Sequence, residues 1–288
     1  MVGQERVWMI TGATSGLGLA LAAAALEAGE KVAGTARRLE RFDALLSHYG
    51  SALLPIAHDV RDVTRASEVV EQVVERFGRV DVLVNNAGVG QVGAAEEVSD
   101  AQLRDMLDQH LFGPAALVRA VLPGMRARGT GAIVQMSSQG GRRTFPGVGS
   151  YSAGKFALEG WSEALAAEVA PFGIRVLIVE PSRFRTEFND PGVLLTAGPD
   201  SAYDRVLSGV RHDMTTSAGR QEGDPARAAA AIREVLAAQH APLRLPLGAE
   251  AVRNLTRAYE HARDEVRSWA EVATSADFPD ATPPTRVL

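Results

Sequence analysis

Val7-Trp-Met-Ile-Thr11 is a short apolar run that stops at a glycine; Gly12-Ala-Thr-Ser-Gly16-Leu-Gly18 follows, and then an Ala- and Leu-rich stretch over 17–28. The run reads as a buried strand and the glycine-containing segment as a strand-to-helix turn. Gly12, Gly16 and Gly18 let backbone approach backbone closely. A helix that begins near Gly16 points its free N–H groups at whatever lies over the turn, which suits a pyrophosphate. Such a turn also occurs as a plain chain reversal; its place between a strand and a helix is what favours a dinucleotide.

The same alternation continues outward. Gly29 closes the first helix, and Lys31–Thr35, Leu53–Ala57 and Val80–Val84 read as further strands. Thr64 is placed to cap an amphipathic helix over 65–77 that stops at Gly78. A βαβαβαβ pattern implies a parallel sheet with helices on both faces, and right-handed crossovers put the C-terminal ends of all its strands on one edge. The second strand ends Thr35-Ala36-Arg37-Arg38. An acidic residue here would hold a ribose 2′-hydroxyl, whereas arginine accommodates a 2′-phosphate. The acid is absent, so NADP(H) is expected over NAD(H); the other reading is that the two arginines simply open the next helix in solvent.

Further on, 99–128 is helical, with Ser99 as its cap and Pro114 and Pro123 as expected irregularities. Ala132–Met136 is a fifth strand, Ile174–Val179 a sixth and Leu243–Leu247 a seventh. Helices are expected near 201–215, from Asp224-Pro225 to about 238, and over 249–272. Residues 181–223 lack a clean period, and a connection of that length is usually functional, often a lid. With no repeat or linker, the expectation is one domain over 1–275, an α/β Rossmann-like doubly wound parallel sheet of about seven strands flanked by helices, and a loose tail from 276 to 288.

Tyr151 and Lys155 stand four apart on a helix and so project from one face. An ammonium beside a phenol favours the phenolate and is expected to lower its pKa towards the working range. Ser138, thirteen residues earlier at the end of the fifth strand, can offer a hydroxyl to the same reacting oxygen. Alone, the pair more often means a part-buried tyrosine and a solvated lysine.

Composition bounds the rest. The chain has 288 residues, 46% apolar and 23% charged, with a formal net charge of −5. That balance gives no electrostatic reason to expect nucleic acid or an anionic membrane as partner. There is no cysteine, which removes disulfides, thiolate metal sites and a thiol nucleophile. The histidines show no metal-ligand spacing; apart from His58, beside Asp59, and His110, they are expected on solvated surfaces. The segment MVGQERVWMI is too polar for a secretory signal, and no run reaches the roughly 18 apolar residues of a membrane span. A cytoplasmic enzyme is the default.

Taken in order, the 11–18 turn, Asn85-Asn86-Ala87-Gly88, Ser138 and Tyr151-x-x-x-Lys155 resemble the short-chain dehydrogenase/reductase family over roughly residues 5–250. The resemblance implies that Thr11, Gly12, Ser15, Gly16, Leu17 and Gly18 form the dinucleotide turn. It implies Arg37 at the 2′-phosphate, Asp59 and Val60 at the adenine, and Asn86, Ala87 and Gly88 bordering the cofactor. Tyr151 would be the acid/base, Lys155 the residue that binds the nicotinamide ribose and tunes it, and Ser138 the hydroxyl that orients the substrate oxygen. Pro181 and Thr186 would contact the nicotinamide carboxamide. Two departures stand out: Ser182 replaces a usual glycine, and His110 takes the place of the usual relay asparagine. For His110 a relay role and a mere helix-packing role both stand open.

The activity implied is reversible hydride transfer between NADP(H) and a ketone or aldehyde. An epimerase, dehydratase or cyclisation catalyst on the same fold is an alternative, and a nucleotide-sensing module a lesser one. The substrate is expected to be a small carbonyl or alcohol compound. Phe145, Phe184, Phe188, Leu194, Leu195 and Tyr203 offer its pocket apolar surface, and Arg142, Arg143, Arg183 and Arg185 offer charge. A homodimer or homotetramer through 99–128 and 150–170 is implied by family.

Overall fold

A computed structural model describes residues 5–196 and 202–282. Seven parallel strands form its sheet: β1 (Val7–Thr11), β2 (Lys31–Ala36), β3 (Leu53–Ala57), β4 (Val82–Asn85), β6 (Gly131–Met136), β7 (Ile174–Pro181) and β9 (Arg244–Leu247), in the spatial order β3-β2-β1-β4-β6-β7-β9. A separate parallel pair joins β5 (Gly90–Val92) to β8 (Leu194–Thr196). The helices are α1 (Gly16–Glu27), α2 (Asp43–Tyr49), α3 (Ala66–Phe77), α4 (Asp100–Leu107), α5 (Gly113–Arg128), α6 (Gly149–Val169), α7 (Asp204–Thr216), α8 (Pro225–Ala237), α9 (Ala249–Ser268) and α10 (Ala270–Thr274).

All five residues of β1 are buried. Because side chains alternate along a strand, Trp8 and Ile10 enter the core beneath α1 and α8, while Val7 and Met9 enter the one beneath α3 and α5. Further along the sheet β7 alternates likewise: Leu177 and Val179 face the first core, Ile174, Val176 and Ile178 the second. Each large side chain so buried contributes roughly 1.5–3 kcal/mol. The chain runs outward from β1 to β2 and β3, then returns to β4 on the other side of β1. That reversal opens a crevice at the C-terminal ends of β1 and β4, where ligands bind in such sheets.

Several local expectations need correction. Thr64 does not cap α3: a tight 3₁₀ turn over Val63–Arg65 precedes the helix, and the Thr64 hydroxyl donates to Asp62 at 2.6 Å. Pro123 leaves α5 unbroken. It and Arg119, whose carbonyl loses a donor to it, are both exposed, so water can replace that bond. Pro114 does perturb the helix. Lacking an N–H, it cannot bond the carbonyl four residues back, and the chain forms a π-helical turn over Asp108–Phe112 in which the Gly113 N–H donates to the Asp108 carbonyl. The C-terminal helix breaks at Trp269 instead of running through to 272. The α7 helix begins at Asp204, and the expected start at 201 lies outside the described residues, as does the end of the tail from 283. Ser99 caps as expected, with a reciprocal bond to Gln102.

Candidate active site

The end of β1 is stitched to the end of β4. Thr11 Oγ1 accepts from the N–H groups of Asn86 (2.9 Å) and Ala87 (3.0 Å), and Asn86 Nδ2 donates to the carbonyls of Thr11 (2.9 Å) and Gly12 (3.3 Å). Gly18 lies against the same knot, where a Cβ would stand 2.4 Å from Asn86 Nδ2 and from the Gly12 carbonyl oxygen. Thr11 and Gly18 therefore build the turn from behind, and neither lines the cleft.

The cleft itself has a volume of about 720 Å³. Gly12, Ser15, Gly16 and Leu17 line one end, and Arg37, Asp59 and Val60 line the ends of β2 and β3. Asn86, Ala87, Gly88, His110, Ser138, Tyr151, Lys155, Pro181 and Thr186 complete the wall, so all the remaining catalytic and cofactor-side candidates meet in one cavity. The glycine turn fits a dinucleotide. Gly12 has φ +64°, and a Cβ on Gly16 would reach to 3.2 Å from Thr186 across the cleft. Ser15 makes no side-chain cap on α1, and no acidic residue stands in its first turn. The positive end of that helix is thus offered to an anion without a protein carboxylate in competition.

Ser138 is fixed by the Gly140 N–H, which donates to its Oγ at 3.0 Å. That leaves the Ser138 hydroxyl proton free to donate, and Tyr151 is its neighbour: a Cβ on Gly140 would stand 3.3 Å from Ser138 Oγ and 3.3 Å from Tyr151 Cε1. Lys155 Nζ donates to the Met136 carbonyl at 2.7 Å and sits 5.8 Å from the Tyr151 ring centroid. The lowered phenol pKa expected from the sequence is not found. Burial pushes Tyr151 up to about 12, against a smaller lowering from Ser138, and pushes Lys155 down to about 7. Tyr151 is part-buried on the cleft wall and Lys155 is buried behind it; desolvation disfavours both charged forms and outweighs the attraction between them. The phenol is held protonated.

His110 is 1% exposed and packs edge-on to Tyr151, with ring centroids 5.3 Å apart. Its Nε2–H donates to the Val89 carbonyl at 3.0 Å, and Nδ1 has no hydrogen-bond partner among the described residues. Burial, and then the nearby Lys155 charge, hold its pKa well below the usual imidazole value, so the ring is neutral. Ser182 donates to the Leu247 carbonyl at 3.2 Å and ties the end of β7 to β9.

Among the substrate-side candidates, Phe145, Phe184, Phe188 and Arg183 line the cavity. Leu194 is buried beneath it with Val92 and Val148. Tyr203 instead bonds Glu96 at the surface, and Arg142 lies over the Tyr259 ring. Leu195, Arg143 and Arg185 also lie off the lining. The sequence reading missed Gln91, Val148, Val193, Val210 and Met214, which do line it. Val210 and Met214, four apart on amphipathic α7, carried a readable signal; nothing in the sequence marks Gln91. His48, His212, His240 and His261 are exposed, while His58 is buried beside Asp59.

This combination, a doubly wound sheet with Ser, Tyr and Lys converging beside a glycine turn, defines a nicotinamide-nucleotide oxidoreductase site. Residues 6–192 match the short chain dehydrogenase family, and the chain belongs to it. It is 34% identical to oxidoreductase BOA17 of Botryotinia fuckeliana, over 94% of this chain and 99% of the relative. It is 36% identical to a 3-ketodihydrosphingosine reductase of Bacteroides thetaiotaomicron, over 85% and 88%. A crystal structure of a short-chain dehydrogenase from Streptomyces avermitilis superposes with a TM-score of 0.90 at 48% identity, covering 96% of this chain and all of that one. More distant solved relatives carry an NADP derivative in one case and NADH in another. The protein is a dehydrogenase/reductase, and its neighbours use NAD(P)(H).

Proposed function

We propose that the protein reduces a ketone or aldehyde on a largely apolar small molecule with NADPH, Tyr151 supplying the proton. The observation that carries this is the convergence of the Ser138 hydroxyl and the Tyr151 phenol at one point on the cavity wall. The bound dinucleotide supplies the hydride. Ser138 and Tyr151 donate to the carbonyl oxygen, which gains negative charge as the reaction proceeds. A phenol held protonated is in the state this role needs. Lys155, over the ring, holds the ribose hydroxyls and offsets the charge on Tyr151 once the proton has left. His110 takes part in proton return through Nδ1, the nitrogen not engaged with Val89. Arg37 and Arg38, at the end of β2 without an acid before them, favour the 2′-phosphate.

Phe145, Phe188, Val193, Val210 and Met214 support an apolar substrate body, in keeping with the 3-ketodihydrosphingosine named for the Bacteroides relative. The described parts of the 181–223 segment, 181–196 and 202–223, supply most of these and act as the lid; 197–201 lie outside the described residues. Exposed Phe112, Phe156 and Phe172 around α5 and α6 fit a homodimer or homotetramer, to be read by light scattering. The decisive variant is Tyr151→Phe. It should reduce ketones at least about a hundredfold more slowly, the lower end of general-acid contributions. Turnover within a few fold of the wild type would end this reading.

A further inference from the structure

One turn along α6 from Lys155, on the same face, stands Glu159. It is 1% exposed, and Glu180, the penultimate residue of β7, is 0% exposed. The two carboxyl groups meet at one nitrogen, Arg244 Nε, and the Glu159 charge acts on Glu180. Arg244 of β9 brings Nε to 3.0 Å from Glu159 Oε2 and 3.9 Å from Glu180 Oε1, while its Nη2 turns outward to the exposed Glu163 at 2.8 Å. Three of the four oxygens in the pair, Glu159 Oε1 and both of Glu180, find no hydrogen-bond donor among the described residues. The loop after β6 closes over them. A Cβ on Gly141 would stand 2.5 Å from Ser137 Oγ, 3.0 Å from Glu159 Cγ and 3.3 Å from Glu159 Oε1, so the loop packs directly on Glu159.

Two ionised carboxylates here would repel, and the one donor they approach, Arg244 Nε, bonds only Glu159 Oε2, which leaves the other three oxygens without a proton. A single proton removes the conflict: one orphan oxygen becomes a donor and the facing one its acceptor. Burial and then the Glu159 charge raise Glu180 well above the carboxylate range, with Arg244 and Arg142 opposing. Facing the other way, Glu159 favours the Lys155 ammonium against the burial that disfavours it. Beyond Lys155 lie only the neutral His110 and the protonated Tyr151 among its titratable neighbours described above.

We propose that Glu159 is a positioning residue for this site: it shares one proton with Glu180, and the negative charge left on the pair holds Lys155 as an ammonium. The proposal rests on the reading of Lys155 as the group that holds the nicotinamide ribose. It predicts opposite effects from two isosteric changes. Glu159→Gln takes the anion from Lys155, so the alkaline fall in NADPH affinity, followed by fluorescence, should move to lower pH by about one unit, a tenfold change in proton affinity. Glu180→Gln removes the rival for the charge and leaves Glu159 fully ionised, so that fall should move to higher pH. A merely structural role would weaken both variants without moving the midpoint. Midpoints that stay put, or move the same way, overturn the proposal. Infrared spectroscopy of the unmutated protein supplies an arm that needs neither variant nor turnover. A protonated buried carboxyl band is expected at neutral pH, and its absence also overturns the proposal. Failure of the hydride-transfer reading would show instead in an active Tyr151→Phe enzyme.

Discussion

Lys155 is the residue at which the demands of the site and of the fold oppose each other most plainly. Its pKa falls from 10.5 to about 7 because burial disfavours the ammonium. In the unfolded chain the ordinary value returns. Below about pH 7 both states are protonated and the burial penalty is felt in full; between there and 10.5 it fades, because folding then proceeds with the amine already neutral. At about 1.4 kcal/mol per pKa unit the penalty is several kcal/mol at neutral pH. Lys155→Met removes it but leaves the Met136 carbonyl without its donor, which costs about 1–3 kcal/mol. The variant should therefore lose ketone reduction and yet be more stable at pH 7 by about 1–3 kcal/mol in urea unfolding. The gain should be gone by about pH 10.5, where the unfolded lysine also begins to lose its charge. A variant that is less stable at pH 7, or whose gain is flat with pH, would contradict this account of the site.

At the level of elements, the helix that carries Tyr151 and Lys155 is held against the π-helical turn that carries His110. Gly154 marks the contact. A Cβ there would lie 3.0 Å from His110 Cβ and 3.2 Å from the Met106 carbonyl oxygen. In a helix interior, alanine is favoured over glycine by about 1 kcal/mol. Overpacking against a backbone that cannot yield costs about 1–3 kcal/mol. The second effect should win, so Gly154→Ala should melt lower and turn over more slowly. Gly160→Ala, six residues on in α6 with nothing within 4 Å of its Cβ, should melt slightly higher. A higher melting temperature for both would mean that the α4–α6 contact is looser than the structure shows. The turn itself explains why part of this site was hard to read. The seven strands of the main sheet were legible because each contains a short apolar run, and the five between the edge strands β3 and β9 are largely buried on both faces. The glycine turn and the Ser138–Tyr151–Lys155 set were legible because the chemistry lies in residue types at fixed spacing. Pro114 announced an irregularity, but whether a lost hydrogen bond yields a kink, a π turn or nothing depends on what packs nearby; at exposed Pro123 it yields nothing. The β5–β8 pair was not legible at all. Each strand has three residues, too few to show a period, and their partnership spans a hundred residues of chain. The perturbed tyrosine and lysine were misread for a related reason: spacing reveals the pair, but only the packed structure reveals how dry it is.

For the molecule as a whole, the cleft draws on the ends of β1, β2, β3, β4, β6 and β7 together, so a ligand that spans it should stabilise the entire sheet. Binding to the folded state alone contributes about 2.7 kcal/mol at a hundred times Kd. In a chain of this size each kcal/mol is worth roughly 2–4 °C of melting temperature. NADPH should therefore raise the melting temperature of the unmutated protein by several degrees. The 2′-phosphate adds to that rise only if the end of β2 receives it. Arg37 is exposed there, with Arg38 and Arg41 also on the lining, and Arg41 is drawn across the cleft mouth to Glu187 at 3.1 Å. Of these three, Arg37 and Arg38 immediately follow the strand, where the ribose is expected. Replacing Arg37 by aspartate puts a carboxylate beside the phosphate and restores an acid that can hold a 2′-hydroxyl. In Arg37→Asp the thermal shift with NADPH should largely collapse at a fixed cofactor concentration, while the shift with NADH is kept or grows. Equal losses with the two cofactors would show that Arg37 serves the general anion field of the cleft and does not select the phosphate.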